Sequence, residues 1–139
     1  METIVPIQHV RSIDEVVCAL LPSEGRQGLA LAARIKTALR AAFSPVLTCS
    51  FGMAATELLA KVAAARQKPD GAVLLKTQDL PGALADLSIS KLPGIGEGMV
   101  TRLAAAGVTS FPELWALAPK QDSAIWGNVE GERILQELH

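Results

Sequence analysis

Aromatic residues and cysteines are scarce in this chain of 139 residues: only 4% are aromatic, and tyrosine is absent. A core with so few rings must be built mainly from alanine and leucine side chains packed between helices and a sheet. The two cysteines, Cys18 and Cys49, lie in apolar runs without the spacing of a metal site. We therefore expect two reduced core residues in a cytoplasmic protein, with a disulfide or metal site as the remote alternative.

An excess of charge of either sign is also missing. The 13 basic and 14 acidic side chains give a net charge of −1, and no basic run stands out. Binding to nucleic acid must therefore depend on local geometry rather than on overall charge. No apolar run approaches the ~20 residues needed to span a bilayer, and the N-terminus lacks a signal pattern. We expect a soluble protein that does not bind membranes.

The first part of the sequence alternates strand and helix patterns. Val, Ile and Leu runs favour strands, and apolar residues at steps of three and four favour helices. The order β-β-α-β-α-β predicts a compact α/β layer. The strands are expected at 4–10, 15–21, 46–51 and 72–75, and the helices at 27–43 and 54–67.

From residue 77 onward, short helical patterns are joined by Pro, Gly and Ser. Gly107 stands where a C-terminal glycine cap belongs. We therefore expect an α+β part over 1–76 and an all-helical part over 77–139. The helices are expected at 79–87, 97–106, 111–117, 119–126 and 128–139.

The run Leu92-Pro93-Gly94-Ile95-Gly96 interrupts the helical part. Glycines allow positive φ and a close approach of the backbone, so the amides that begin the next helix can meet an anion. This pattern is typical of a helix-hairpin-helix, which holds DNA phosphates without reading bases. An ordinary turn between two packed helices remains an alternative. The candidate DNA-binding residues are Pro93, Gly94, Ile95, Gly96 and Gly98.

Two adjacent acids, Asp14 and Glu15, stand between the first two predicted strands. At the crest of a turn both can approach one cation, and two carboxylates without Cys or His suit Mg²⁺. A pair of solvated acids is the alternative. Lys61 and Lys68 are seven residues apart, so we expect them to share a face near the C-terminal end of the second helix. On spacing alone they are plain surface charges.

In their order and spacing these motifs resemble the Y-family translesion DNA polymerases, and within them the bacterial impB/mucB/samB branch. The resemblance runs from about residue 4 to the C-terminus. The motifs that carry it are Ser12-Ile13-Asp14-Glu15, the runs at 49–54 and 58–63, Lys68-Pro69-Asp70-Gly71, and the hairpin at 92–96.

The resemblance implies a partial ferredoxin-like palm followed by an all-helical thumb with a helix-hairpin-helix. It implies that Asp14 and Glu15 help hold catalytic Mg²⁺, and that Lys68, with Lys61 as a weaker candidate, reaches the triphosphate of the incoming nucleotide. The hairpin would hold the backbone of a DNA primer-template. The implied reaction is two-metal nucleotidyl transfer, in which one ion activates the primer hydroxyl and the other neutralises the pyrophosphate.

The match does not include the family's opening strand with its first metal-binding aspartate, its fingers or its little finger. We therefore expect no polymerase activity from this chain alone, and self-association through an exposed strand edge of the palm. A non-catalytic helix-hairpin-helix module that binds DNA or a repair protein is the alternative function, and a purely structural domain is a third. Asp14 and Glu15 favour the polymerase, because a cation relieves the repulsion between neighbouring carboxylates.

Overall fold

The computed structural model describes residues 5–117, 119–127 and 129–139. They form two compact units. The first unit extends to Met53 and resumes at Ala63–Leu74, and the second comprises Ala54–Val62 and Leu75–His139.

The first unit has a mixed composition of strands and helices. Its described strands form two sheets of two strands each, β1 with β2 and β3 with β4. The first pair is antiparallel and the second is parallel. The elements are β1 (Ile7–Ser12), β2 (Glu15–Cys18), α1 (Pro22–Gly25), α2 (Gly28–Ala42), β3 (Phe51–Met53), the end of α3 (Glu57–Arg66) and β4 (Ala72–Leu74).

Helix α2 packs closely on the parallel pair. Its Ala32 and Ile35 are buried. The predicted apolar stripe was Leu31, Ile35, Leu39 and Ala42, of which only Ile35 is buried, whereas Leu31 and Leu39 are half-buried and Ala42 is exposed. At its first residue, Gly28, an added Cβ would lie 2.6 Å from the sulfur of Met53. Glycine there lets the helix approach β3 without a shift of the Met53 side chain.

The antiparallel pair is a tight hairpin. Ser12 and Glu15 form its last register pair, so that Ile13 and Asp14 make a two-residue turn. The predicted strand-turn-strand is confirmed, although β1 begins at Ile7 rather than at residue 4, which lies outside the described residues.

The second unit is helical and holds most of the large buried side chains among the described residues. Phe111, Leu84, Leu103 and Leu138 have no exposed surface. Three 3₁₀ segments precede the α-helices: Thr77–Asp79, Gly82–Leu84 and Ile89–Lys91. The α-helices are the start of α3, α4 (Glu97–Ala105), α5 (Phe111–Trp115), α6 (Pro119–Trp126) and α7 (Val129–Leu138).

A single hydroxyl joins two helices of this unit. The Thr56 hydroxyl accepts a hydrogen bond from the Leu59 amide at the start of α3 and donates one to the Glu137 carbonyl in the last turn of α7. It therefore satisfies one orphan group at each helix end.

Gly107 ends α4 as predicted. It has φ +83°, the Val108 amide donates to the Leu103 carbonyl at 2.8 Å, and the Gly107 amide donates to the Ala104 carbonyl at 3.0 Å. These two bonds define a Schellman cap.

Two predicted elements are wrong. The helix expected over 79–87 is replaced by 3₁₀ segments, because Pro81 lacks an amide donor and disfavours helix at the residue before it. The strand expected over 46–51 is only Phe51–Met53, since the chain turns at Ser44–Leu47 with the Leu47 amide bonded to the Ser44 carbonyl.

The predicted helix 128–139 is α7, although residue 128 itself lies outside the described residues. None of the helices in the described part of the chain has the length and apolar character needed to cross a membrane.

Candidate functional site

The predicted acidic pair lies at the end of the β1–β2 hairpin. Asp14 is exposed on the turn, and Glu15 is the partly buried first residue of β2. The Ser12 hydroxyl donates a hydrogen bond of 2.7 Å to the Asp14 carboxylate. That bond, followed by one from the backbone amide of Asp14 itself, holds the pKa of Asp14 below its ordinary value. Asp14 is therefore an anion at neutral pH and available to a cation.

Lys68 is an exposed residue of the same unit as Asp14. Its positive charge is the smallest contribution to the lowered pKa of Asp14, after the hydrogen bonds from the Ser12 hydroxyl and the Asp14 amide. The ammonium and the carboxylate therefore interact through their charges, although they are 54 positions apart in the sequence.

Lys61 does not share a helix face with Lys68, contrary to the prediction. Helix α3 ends at Arg66, so Lys68 lies in the following turn, whereas Lys61 is an exposed residue within α3. The helix was expected to reach residue 67, but Lys68-Pro69-Asp70-Gly71 begins its turn earlier.

This turn is held by Lys36 and Arg40, two residues of α2 that the sequence analysis did not identify; together with Asp70 they are here called the Asp70 clamp. The Lys36 amine lies 3.1 Å and the Arg40 guanidinium 2.6 Å from the two carboxylate oxygens of Asp70. The Lys36 hydrogen bond, with a smaller contribution from Arg40, lowers the pKa of Asp70. The only sequence signal was that Lys36 and Arg40 are four apart and lie off the apolar stripe of α2.

The donor set suits Mg²⁺ only in part. Two neighbouring carboxylates match the preference of Mg²⁺ for oxygen ligands. Within the described residues, however, no group of three or more His, Cys, Asp or Glu could hold a metal. Asp14 and Glu15 could contribute two ligands to an ion whose other ligands come from phosphates and water.

The predicted DNA-binding hairpin lies in the second unit. Leu92 and Ile95 are buried, the Ile95 amide donates to the Leu92 carbonyl at 3.2 Å, and Gly94 has φ +85°. These features place the apolar side chains inward and turn the backbone outward. The element before it is the 3₁₀ segment Ile89–Lys91 rather than an α-helix.

Gly96 and Gly98 face open space. An added Cβ at either would have nothing within 4 Å, so packing within the chain does not explain why a side chain is absent. Helix α4 begins directly after Gly96, and the first amides of a helix, here those of Glu97 and Gly98, have no carbonyl partner within it. The surface they form is open to an external acceptor.

Comparisons with known proteins agree with this geometry. Residues 2–65 match the impB/mucB/samB family. A DNA polymerase IV from Stenotrophomonas maltophilia is 34% identical over 116 residues, which cover 81% of this chain and 31% of that protein. The chain is a relative of the Y-family DNA polymerases.

Further Y-family proteins give the same result. A DNA polymerase IV from Moorella thermoacetica is 35% identical over 82% of this chain and 28% of its own length. The crystal structure of DinB from Sulfolobus solfataricus matches with a TM-score of 0.72 at 25% identity, over 91% of this chain and 38% of that one. The chain therefore spans about a third of the length of the curated relatives it matches.

A Y-family polymerase chimera of Dbh and Dpo4 shares the fold with a TM-score of 0.77 at 24% identity, over 97% of this chain and 40% of the chimera. The mixed α+β architecture is thus that of a Y-family polymerase, as the sequence motifs predicted. An insertion ternary complex of Dbh DNA polymerase is also similar, with a TM-score of 0.64 over 80% of this chain and 32% of that one.

Proposed function

We propose that this chain is a palm and thumb segment of a Y-family DNA polymerase that acts in translesion synthesis, with the palm over 1–76 and the thumb over 77–139. Asp14 and Glu15 contribute to Mg²⁺ binding, and Lys68 contacts the triphosphate of the incoming nucleotide. Lys61 is a weaker candidate for that contact. The observation that supports this most is that Asp14 and Lys68, from distant parts of the sequence, are both exposed in the first unit, where the Lys68 charge also contributes to the lowered pKa of Asp14.

The side chains of this chain would position and neutralise charged groups, and they would not form or break covalent bonds themselves. Mg²⁺, when bound, supplies the Lewis acidity of nucleotidyl transfer. Asp14 and Glu15 would orient that ion, and the Lys68 ammonium would neutralise phosphate oxygens. Because a third carboxylate ligand is missing from the described residues, we propose that this chain alone binds Mg²⁺ weakly and does not polymerise.

Binding of Mg²⁺ with deoxyadenosine triphosphate, measured by titration calorimetry, tests this proposal. Asp14→Asn should weaken the Mg²⁺-dependent part of nucleotide binding, and Lys68→Gln should weaken binding by about tenfold, the equivalent of one charge-assisted hydrogen bond. Arg34→Gln removes a cation from an exposed position of α2 and serves as the control. If all three variants bound like the unchanged chain, the assignment of Asp14 and Lys68 would be lost.

We propose that the hairpin with Pro93, Gly94, Ile95, Gly96 and Gly98 contacts the backbone of a DNA primer-template. The open space at Gly96 and Gly98 supports this, because a phosphate could approach the amides there. A non-catalytic module that binds DNA or a repair protein through the same hairpin is the second candidate, and the incomplete metal-ligand set favours it.

Fluorescence anisotropy on a primer-template tests the hairpin. Gly98→Ala adds one methyl group in open space and should weaken binding by about tenfold, which corresponds to one charge-assisted hydrogen bond. Gly82→Ala, also in open space but in a 3₁₀ segment, is the matched control. The affinity should fall by roughly 0.7–0.9 log units per log unit of salt for each phosphate neutralised. Equal affinities of the two variants would refute the contact.

We also propose that copies of the chain associate through the first unit. Val10 and Val16 are register partners on the hairpin, yet they are 69% and 39% exposed. Ile13 at the turn is fully exposed. Light scattering at high concentration should detect oligomers that Val10→Thr with Val16→Thr reduces. A strictly monomeric unchanged chain would contradict this.

A further inference from the structure

The Lys68–Gly71 turn is fixed at one end by its backbone. The Gly71 carbonyl accepts a hydrogen bond of 3.0 Å from the Phe51 amide in β3. A Cβ at Gly71 would overlap the Gln67 carbonyl, so the turn closes on itself more tightly than any other residue would permit. The segment therefore enters β4 from a defined position.

The Asp70 clamp fixes the same turn from helix α2. The Lys36 amine donates to the backbone carbonyl of Asp70 at 2.6 Å as well as pairing with its carboxylate. The Arg40 guanidinium pairs with the other carboxylate oxygen and also donates to the Leu47 carbonyl at 3.2 Å. Two cations one helical turn apart thus hold both the main chain and the side chain of one residue.

One member of the clamp is shielded from water. The Lys36 side chain is only 15% exposed, and its amine lies 5.9 Å from the centroid of the Phe51 ring. The side chains of Arg40 and Asp70 are 39% and 40% exposed. Exposed ion pairs define geometry less well than shielded ones, so the Lys36 contacts with the carbonyl and carboxylate of Asp70 are the ones best suited to hold the turn in one place.

We propose that Asp70 is a positioning residue, which fixes the turn through Lys36 and Arg40 and thereby holds Lys68, two residues earlier, in the position from which it contacts a triphosphate. This inference rests on the nucleotide contact of Lys68 proposed above. Asp70 itself does not touch the nucleotide; it acts through the placement of Lys68.

Electrostatics and positioning predict opposite results when the Asp70 charge is removed. Asp70→Asn deletes an anion near the phosphate site and frees two cations, so charge alone predicts tighter binding of a triphosphate. Positioning predicts weaker binding, because a Lys68 that is mobile in the free protein loses conformational entropy when the triphosphate binds. The sign of the change therefore separates the two.

The experiment measures deoxyadenosine triphosphate binding by the unchanged chain, Asp70→Asn, Lys68→Gln and the double variant. We expect Asp70→Asn to weaken binding by about five- to tenfold, less than or equal to the loss of the charged hydrogen bond of Lys68. In the Lys68→Gln background Asp70→Asn should cause no further loss, since both act through one ammonium. Unchanged or tighter binding by Asp70→Asn would overturn the proposal.

Backbone ¹⁵N relaxation at Asp70 and Gly71 provides a readout that does not need the nucleotide. The turn should be as ordered as α2 in the unchanged chain and more mobile on the nanosecond timescale in Asp70→Asn. If the unchanged chain bound no nucleotide, the function proposed for Lys68 would fail, and relaxation alone would decide whether Asp70 fixes the turn. Equal mobility in both proteins would overturn the clamp.

Discussion

Two glycines at the start of α4 should respond to alanine in opposite directions. Gly94 has φ +85°, and its added Cβ would lie 3.4 Å from the Cδ1 atom of Ile134. Gly98 lies in the first turn of α4 with open space around it. They are four positions apart in the sequence, and both are exposed.

The magnitudes follow from the backbone. Alanine at the φ of Gly94 costs about 1–2 kcal/mol in the left-handed region, and the reduced freedom of the unfolded chain offsets about 0.4–1 kcal/mol of that. Gly94→Ala should therefore destabilise by about 1 kcal/mol. Gly98→Ala should stabilise by about 0.5–1 kcal/mol, because glycine is a poor helix residue.

Urea unfolding followed by tryptophan fluorescence measures both effects. The chain has two tryptophans, Trp115 and Trp126, and both lie in the second unit with the two glycines. Gly107→Ala is the control for Gly94→Ala, since Gly107 has φ +83° and no atom near its added Cβ. It should lose about 1 kcal/mol through backbone strain alone.

The free energies of unfolding of Gly94→Ala, Gly98→Ala and Gly107→Ala test this reasoning together. A loss of stability in Gly98→Ala would mean that α4 begins later or that the site is not open. A neutral Gly94→Ala would mean that its φ is not positive. Because Gly98→Ala is expected to weaken DNA binding while it stabilises the fold, a loss of affinity in that variant could not be attributed to unfolding.

Three other predictions concern single side chains. Glu97 adds a carboxylate to the first turn of α4, so Glu97→Gln should strengthen DNA binding in anisotropy at low salt, and this gain should shrink as salt screens the charge; equal affinities at low salt would contradict it. Thr56→Val should destabilise by about 1–2 kcal/mol in urea, since one helix cap and a second hydrogen bond are lost; a change below about 0.3 kcal/mol would contradict the two bonds. The pKa of Asp70 is lowered in the folded chain, first by Lys36 and then by Arg40. The ionised Asp70 carboxylate therefore stabilises the fold fully above its ordinary pKa of about 4, and this stabilisation is lost as the pH falls through the lower pKa of the folded chain. The difference in urea midpoint between the unchanged chain and Asp70→Asn should therefore disappear in acid.

Local signals in the sequence were sufficient for several features. The hairpin at Asp14 follows from two β-type runs with a short polar interval, and the cap at Gly107 follows from a glycine after an amphipathic run. The Y-family resemblance rests on motif order and is confirmed by relatives and folds. The hairpin and the cap depend on residues close together in the chain, whereas the resemblance depends on the order of several short motifs.

Features that depend on distant residues were not predicted. The Asp70 clamp joins residues 30 and 34 apart, and neither Lys36 nor Arg40 differs in sequence from a solvated helix charge. The extent of β3 was also missed, because it depends on the three residues of β4 available for pairing. The helix expected over 79–87 was an error of local reasoning, since Pro81 was visible in the sequence.

Within the described residues every strand has a hydrogen-bonded neighbour along one edge only. Successive peptide groups of a strand point to opposite edges, so only alternate amides of β1 and β2 are bonded within their pair. Deuterium exchange should therefore alternate along these strands, except at the register shifts between Ile7 and His9 and between Val10 and Ser12. A partner that added a strand would slow exchange at the amides that are not bonded within the pair. The strand in which those amides become protected would identify the edge that the partner occupies.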